Sequence, residues 1–297
     1  MTGTLPFSIV DVFAAAPLSG NPLAVVVDDD GVDEDLMRAI AREFNQSETT
    51  FVQASSREEV AWRLRSFTPA GVEVGGAGHN ALGAWWWLAA AGRLPLVDGT
   101  NRFLQEIGGR VLPVEVTADD GRLRAIAMEQ ERPRWGDVVG DRAELAASLG
   151  LPAREFGDDV PTQVVSTGVP HLMVEARSRA TVDSAVPDGS RLEAVLGTVE
   201  GEGCYLYSLD PTDPDSTAYA RFFNPTVGIT EDPATGTAAG PLACHLVAHG
   251  LSVDDSKVVI EQGHRVGRPS RIEVGILGER VTITAMCVIA AEGTLFH

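Results

Sequence analysis

Lysine is almost absent from this sequence: of 23 Lys and Arg residues only Lys257 is a lysine, against 42 Asp and Glu and a formal net charge of −19. A nucleic-acid surface neutralises phosphates with clustered cations, and the sequence holds no such cluster, so no nucleic-acid partner is expected. Cysteine is scarce as well. Cys204, Cys244 and Cys287 are odd in number, widely spaced and without a C-x-x-C pair, which gives little basis for a disulfide framework or a zinc site. No Lys or Arg precedes the first apolar stretch, and Asp11 interrupts it, so a secretory leader is not expected and the reading is cytoplasmic. The longest strongly apolar run, residues 81–92, is too short to span a bilayer, so no membrane partner is expected either.

What the chain does have is an echo of itself. Residues 65–92 and 221–250 both start with Arg-x-Phe-x-Pro and pass through a Gly-rich turn into fifteen residues that run from Gly to Gly, Gly78 to Gly92 and Gly236 to Gly250. The offset, 236 minus 78, is 158 residues. A second pair, Gly20-Asn21-Pro22-Leu23 and Gly168-Val169-Pro170-His171-Leu172, follows in the same order at an offset of 148. A period this long points to paired domains rather than to a solenoid. At 297 residues and 44% hydrophobic, the chain can fill two ordinary cores. The expected division is residues 1–130, with a strand from 287–297 as its completion, and residues 131–286. Residues 132–157, rich in Pro, Gly and charge, read as the join.

In order, residues 7–13 and 23–27 are β-rich runs around a Pro/Gly turn, and residues 33–44 place Leu36, Ile40 and Phe44 at helical spacing. A strand headed by Glu48 follows, then another at 62–68 that leads into the first Gly-to-Gly helix. Trp85, Trp86 and Trp87 stand in succession there, so no single face hides them all and other elements must wrap the helix. Short strands follow each helix, at 111–117 and 123–129 and again at 258–262, 272–276 and 281–286. Strands around a buried helix, twice over, describe two barrel-like halves with a cleft between them.

The chemistry concentrates at the two turns. Asp232-Pro233-Ala234-Thr235-Gly236-Thr237 puts a carboxylate and two hydroxyls where a helix opens, and Ala77-Gly78-His79-Asn80 is the equivalent turn at the other helix. Unpaired N–H groups and the helix dipole make such an end a place for an anion. An ordinary N-cap explains either turn taken singly; two at equivalent positions of a duplicated chain favour the anion site. Glu48, among Ser47, Thr49 and Thr50, reads either as a general acid/base or as the exposed start of a strand, and local sequence alone favours the strand. His79 reads as a donor or as a simple cap. His245 and His249 lie four apart, but no H-E-x-x-H pattern or third ligand accompanies them, so no metal is expected. Residues 75–78 fit neither the dinucleotide fingerprint nor the P-loop.

Several motifs together resemble the PhzF family of phenazine biosynthesis: residues 10–13, Pro17-Leu18 and 20–25, Ser47-Glu48-Thr49-Thr50-Phe51, Ala77-Gly78-His79, residues 231–238, Gln262-Gly263 and Gly267-Arg268-Pro269-Ser270. The resemblance implies an α+β fold like that of diaminopimelate epimerase, with two pseudosymmetric domains, each a curved sheet around a central helix, and an active site between the helix N-termini. It also implies a cofactor-independent isomerase, usually a homodimer, that moves a proton between carbons of a small unsaturated, cyclic carboxylic acid in secondary metabolism. On that carry-over Glu48 is the acid/base, His79 and Asp232 assist proton traffic, and Gly78, Asn80, Gly236 and Thr237 bind the anionic carboxylate substrate. Asn80 stands where the family often has proline, and Thr237 where it often has serine. Fixed donors at paired helix ends suit this mechanism, because they hold negative charge as it develops; a raised Glu48 pKa would suit it too. One rival is an epimerase or racemase of the same fold, but neither turn holds the cysteine such chemistry uses. Another is a non-catalytic protein that binds small acids.

Overall fold

A computed structural model describes residues 3–29 and 31–297, and the chain divides into two compact units, Met1–Met128 with Thr284–His297, and Glu129–Ile283. In chain order come β1 (Thr4–Val12), β2 (Asn21–Val27), α1 (Glu34–Phe44), β3 (Thr49–Ala54), β4 (Trp62–Phe67), β5 (Glu73–Val74), α2 (His79–Ala90), β6 (Gly99–Ile107), β7 (Arg110–Asp119) and β8 (Arg122–Glu129). Then follow β9 (Arg134–Val138), α3 (Arg142–Ser148), β10 (Gln163–Ser166), β11 (Pro170–Glu175), α4 (Arg179–Ser184), α5 (Gly189–Gly197), β12 (Gly203–Ser208), β13 (Ala218–Asn224), β14 (Ile229–Asp232), α6 (Gly236–Ala248), β15 (Ser256–Gln262), β16 (Ser270–Leu277), β17 (Arg280–Ala285) and β18 (Cys287–Phe296).

The two units repeat one order of strand pairings. In the first, β1 is antiparallel to β2, β2 parallel to β3 across α1, β3 antiparallel to β4, β4 parallel to β6 across α2, and β6 antiparallel to β7. In the second, β10 is antiparallel to β11, β11 parallel to β12 across α4 and α5, β12 antiparallel to β13, β13 parallel to β15 across α6, and β15 antiparallel to β16. A parallel pair needs a crossover of a dozen or more residues, and in both units the second crossover is a Gly-to-Gly helix. The short strands β5 and β14 precede it at matching places, each antiparallel to the strand before it. β18 returns to the first unit and pairs with β1 along nearly its whole length.

The first unit carries helices of two kinds. α1 is one-sided: Asp33 caps it by accepting from Leu36 N–H, Glu34 and Asp35 favour its positive end, Asn45 closes it in the left-handed conformation, and Met37, Ile40 and Ala41 are buried. They pack with Leu5, Val26, Phe51 and Phe67 on the sheet, with Leu36 and Phe44 flanking. α2 is apolar all round and packs against β1, β2, β3, β4, β7 and β18. Trp85 is fully buried, stacks on Phe103 at 5.4 Å and donates Nε1–H to Gln105 Oε1 at 2.8 Å. Trp87 is nearly buried beneath Arg93, and Trp86 is the partly exposed member of the three. α6 likewise has ten of its thirteen residues buried and packs against β10, β11 and β16.

Residues 132–157 are not a plain join. They form β9, α3 and a 3-10 turn, and Leu145, Leu149, Leu151 and Phe156 belong to the second unit's core with Leu172, Leu192 and Leu206. Polar composition concealed apolar residues at helical spacing. β10 to β14, α4 and α5 also lie beyond the elements read from sequence, because they are short or buried on both faces and show little periodicity.

The close fit of α2 to its sheet gives a prediction. A Cβ on Gly83 would lie 2.7 Å from Leu23 Cδ2 and from Val12 Cγ2. In an exposed helix Gly→Ala stabilises by about 1 kcal/mol, yet here overpacking costs about 1–3 kcal/mol. Gly83→Ala is therefore expected to lower the thermal midpoint; a raised midpoint would contradict this packing.

Candidate active site

In the first unit the turn before α2 is held by buried polar side chains. Asn80, nearly inaccessible, accepts from Gly78 N–H through Oδ1 at 2.7 Å and donates through Nδ2 to Gly76 O at 3.0 Å and Ser66 Oγ at 3.1 Å. Ser66 Oγ in turn lies 2.8 Å from Thr50 Oγ1. This ties the turn to β3 and β4, and it commits the Asn80 amide and Gly78 N–H to the loop itself. Just upstream, Arg65 grips Glu73 with two hydrogen bonds, at 2.8 and 2.7 Å, and reaches Glu34 of α1. The loop can hardly move without breaking these contacts.

Glu48 sits immediately before β3, and His79 opens α2. Their side chains meet, with His79 Nε2 2.9 Å from Glu48 Oε2, and they are only 13% and 19% exposed. Burial pushes the Glu48 carboxyl up, but attraction to the His79 ring and a hydrogen bond with it outweigh that, leaving Glu48 below the ordinary carboxylate value. The direction is opposite to the raised value that would suit a base from first principles, and the reason is that the partner is a cation when protonated. The pair offers a carboxylate and an imidazole in contact, beside first-turn N–H groups that have no partner within the helix.

In the second unit, Asp232 ends β14 and Gly236 starts α6. Thr235 Oγ1 donates to Asp232 Oδ2 at 2.5 Å. Gln262, fully buried at the end of β15, donates Nε2–H to Asp232 O at 2.7 Å and Thr235 Oγ1 at 3.1 Å, while its Oε1 accepts from Thr235 N–H and from Tyr205 OH at 2.8 Å. Ser270 Oγ donates to Pro233 O at 2.6 Å. Gly263 has φ of +81° and lies against Pro233 and Arg268 carbonyls, where any Cβ would clash. The Gly236 carbonyl accepts from Gln130 Nε2 at 3.0 Å, and Thr237 Oγ1 lies 3.2 Å from His171 Nε2. Arg221 and Glu231, both about nine-tenths buried, repeat the Arg65 clamp with bonds of 2.9 and 2.7 Å.

Within its own unit, Gly78, His79 and Asn80 therefore lie at the turn that opens α2, with Glu48 reaching it from the start of β3, and Asp232, Gly236 and Thr237 lie at the turn that opens α6. Gln262, Tyr205, His171 and Gln130 had no role in the sequence reading. Gln262 stands in a quoted motif and His171 in the second echo, so signals for both were present; Tyr205 and Gln130 had none.

The three cysteines are free and buried. Burial pushes the Cys244 thiol up to about 12 and the Cys204 and Cys287 thiols further still, so none is poised as a thiolate base. His245 directs Nε2 at Pro161 O, 3.1 Å away, and burial together with the neighbouring His249 lowers its pKa to about 4.

Comparison with known proteins fits this geometry. A family model described as phenazine biosynthesis-like protein matches residues 10–293. The trans-2,3-dihydro-3-hydroxyanthranilate isomerase of Pseudomonas aeruginosa is 36% identical over 294 residues, which cover 98% of this chain and 96% of that one. A crystal structure of a PhzF-family phenazine biosynthesis protein from Bacillus anthracis superimposes with a TM-score of 0.89 at 26% identity, covering 99% of each chain. The hydroxyproline epimerase of Agrobacterium vitis, 11% identical with a TM-score of 0.65 over 99% and 91% of the two chains, shares the fold alone. The α+β fold and the isomerase class expected from the motifs both stand: this chain belongs to the phenazine biosynthesis-like PhzC-PhzF family and is an isomerase of that family.

Proposed function

We propose that the isomerase shifts a double bond in a small unsaturated, cyclic carboxylic acid by moving one proton between two carbons, with Glu48 as the base that takes the proton and the acid that returns it. The observation that carries this reading is the 2.9 Å contact between Glu48 and His79 at the start of α2. A carboxylate kept ionised by its neighbour can accept a proton from carbon once the developing charge is spread through a conjugated system and met by fixed donors. His79 holds Glu48 in place and stabilises its charged form. Asp232, oriented by Thr235 and Gln262, assists proton traffic, and Gly236 and Thr237 at the head of α6 bind the substrate carboxylate. At α2, Gly78 and Asn80 shape the turn that presents the remaining first-turn N–H groups to the substrate.

The name of the Pseudomonas relative supports trans-2,3-dihydro-3-hydroxyanthranilate as the first compound to try, and Asn80 in place of the usual proline supports widening the panel to related dienoic and pyrroline acids. Family membership supports a cytoplasmic homodimer in secondary metabolism; no described helix is long and apolar enough to cross a membrane. The buried, protonated thiols count against two-base epimerisation through cysteine.

Three outcomes are expected. With the compound that shows an absorbance change on isomerisation, Glu48→Gln loses about 10³-fold or more of turnover, within the range general acid–base catalysis supplies, while melting near the unaltered protein; full activity would remove Glu48 from the mechanism. Asp232→Asn loses about 10²-fold, whereas exposed Asp254→Asn stays unchanged, and equal losses would deny Asp232 a special part. The third is a pH profile. Because Glu48 is lowered in the folded protein, the acid limb of kcat/KM falls below the ordinary carboxylate pKa of about 4.3. His79→Asn removes the two lowering influences and leaves burial, so the limb moves upward past that value. An acid limb that stays in place would show that His79 does not control Glu48.

A further inference from the structure

His171 lies outside the Glu48 and Asp232 clusters, yet it touches a residue assigned to substrate binding. It is the second residue of β11, 1% exposed, with Nε2 3.2 Å from Thr237 Oγ1. Its other ring nitrogen, Nδ1, is buried and has no hydrogen-bond partner among the described residues. Burial lowers the His171 pKa to about 3, so the ring is neutral and carries one proton on one of two nitrogens.

Which nitrogen holds it decides what Thr237 can do. With the proton on Nδ1, Nε2 accepts from Thr237, whose only hydroxyl hydrogen is then spent inside the protein. With the proton on Nε2, the ring donates to Thr237 Oγ1, and the hydroxyl hydrogen turns outward. One observation favours the second arrangement. A proton on Nδ1 would be a buried donor with nothing to accept it, which native proteins avoid more strictly than an under-used acceptor. His171 and Phe222 make a T-shaped contact, with ring centroids 4.9 Å apart and planes at 82°. A Cβ placed on Gly203, the strand neighbour of His171, would meet both Phe222 Cζ at 2.5 Å and His171 Nδ1 at 3.1 Å. A side chain at Gly203 would therefore crowd both rings.

We propose that His171 is a positioning residue that donates Nε2–H to Thr237 Oγ1, and thereby fixes the Thr237 hydroxyl as a hydrogen-bond donor to the carboxylate of the substrate. This rests on the proposed function in taking Thr237 as a carboxylate contact. A hydroxyl so fixed adds a donor at the head of α6, where unpaired N–H groups already favour an anion. It also gives a reason for a neutral, desolvated histidine at that place: a protonated ring would add a full charge, whereas the neutral one sets only a direction. Serine could replace Thr237 in this role and valine could not.

The test uses the whole protein with nitrogen-15 in its histidines, and anthranilate as a planar carboxylate that cannot isomerise. Long-range proton–nitrogen correlation spectra at pH 7 read the tautomer of each ring. His171 is assigned by the signals lost in His171→Asn or, if that variant does not fold, by the proximity of its ring protons to those of Phe222. The expected result is a bare Nδ1 and a protonated Nε2, with His171 signals that shift on anthranilate saturation in the unaltered protein and in Thr237→Ser but not in Thr237→Val. A proton on Nδ1 overturns the proposal and leaves the assignment of the site intact. A bare Nδ1 with anthranilate moving His79 and not His171 overturns it too. Anthranilate moving neither ring would instead overturn the carboxylate-binding reading on which the proposal rests.

Discussion

A helix apolar on every side can persist in water only inside a wrapping of other elements, and both central helices of this chain are of that kind. α2 and α6 each serve as the crossover between two parallel strands, so their sheets curve around them and their first turns emerge where the strands end. Everything chemical in the protein depends on this arrangement. Burying the body of the helix fixes its axis, and the first turn then delivers unpaired N–H groups at a defined place.

The turns themselves are held by polar side chains with almost no exposure. Asn80, Ser66 and Thr50 do this at α2; Gln262, Thr235 and Tyr205 do it at α6. Such groups are costly to bury unless bonded, at about 1–3 kcal/mol for each one left unmade. Their bonds make the turns stiff, and the Arg65–Glu73 and Arg221–Glu231 clamps anchor the chain just upstream. Both units thus hold a helix, a Gly-rich turn and an arginine clamp, while the polar side chains at the turns differ: Glu48 with His79 in one, Asp232 with Thr235 in the other. Repetition supplies the frame, and the proposed chemistry rests on where the two turns differ.

Much of this was legible in residue order. The Gly-to-Gly segments, the Arg-x-Phe-x-Pro starts and the caps of α1 are local signals, and local signals survive in one dimension. The motifs around Glu48, His79 and Asp232 were specific enough to name a family. What escaped was whatever depends on a distant partner. Nothing near Gln262 announces that it joins Asp232, Thr235 and Tyr205, and nothing near Glu48 says that His79, 31 positions later, keeps its carboxyl low. α3 escaped for another reason: Leu145 within it and Leu149 just after it are buried, yet they sit in a segment whose average composition resembles a loop.

The central claim is that one carboxylate, Glu48, carries a proton from one carbon to another. The most direct measurement is proton and deuterium NMR of trans-2,3-dihydro-3-hydroxyanthranilate and its product after incubation with the protein in D₂O. The account predicts deuterium at a single new ring carbon, with the double bond displaced, and none of this with Glu48→Gln. Deuterium at the original stereocentre with inversion, or the same product from Glu48→Gln, would contradict it.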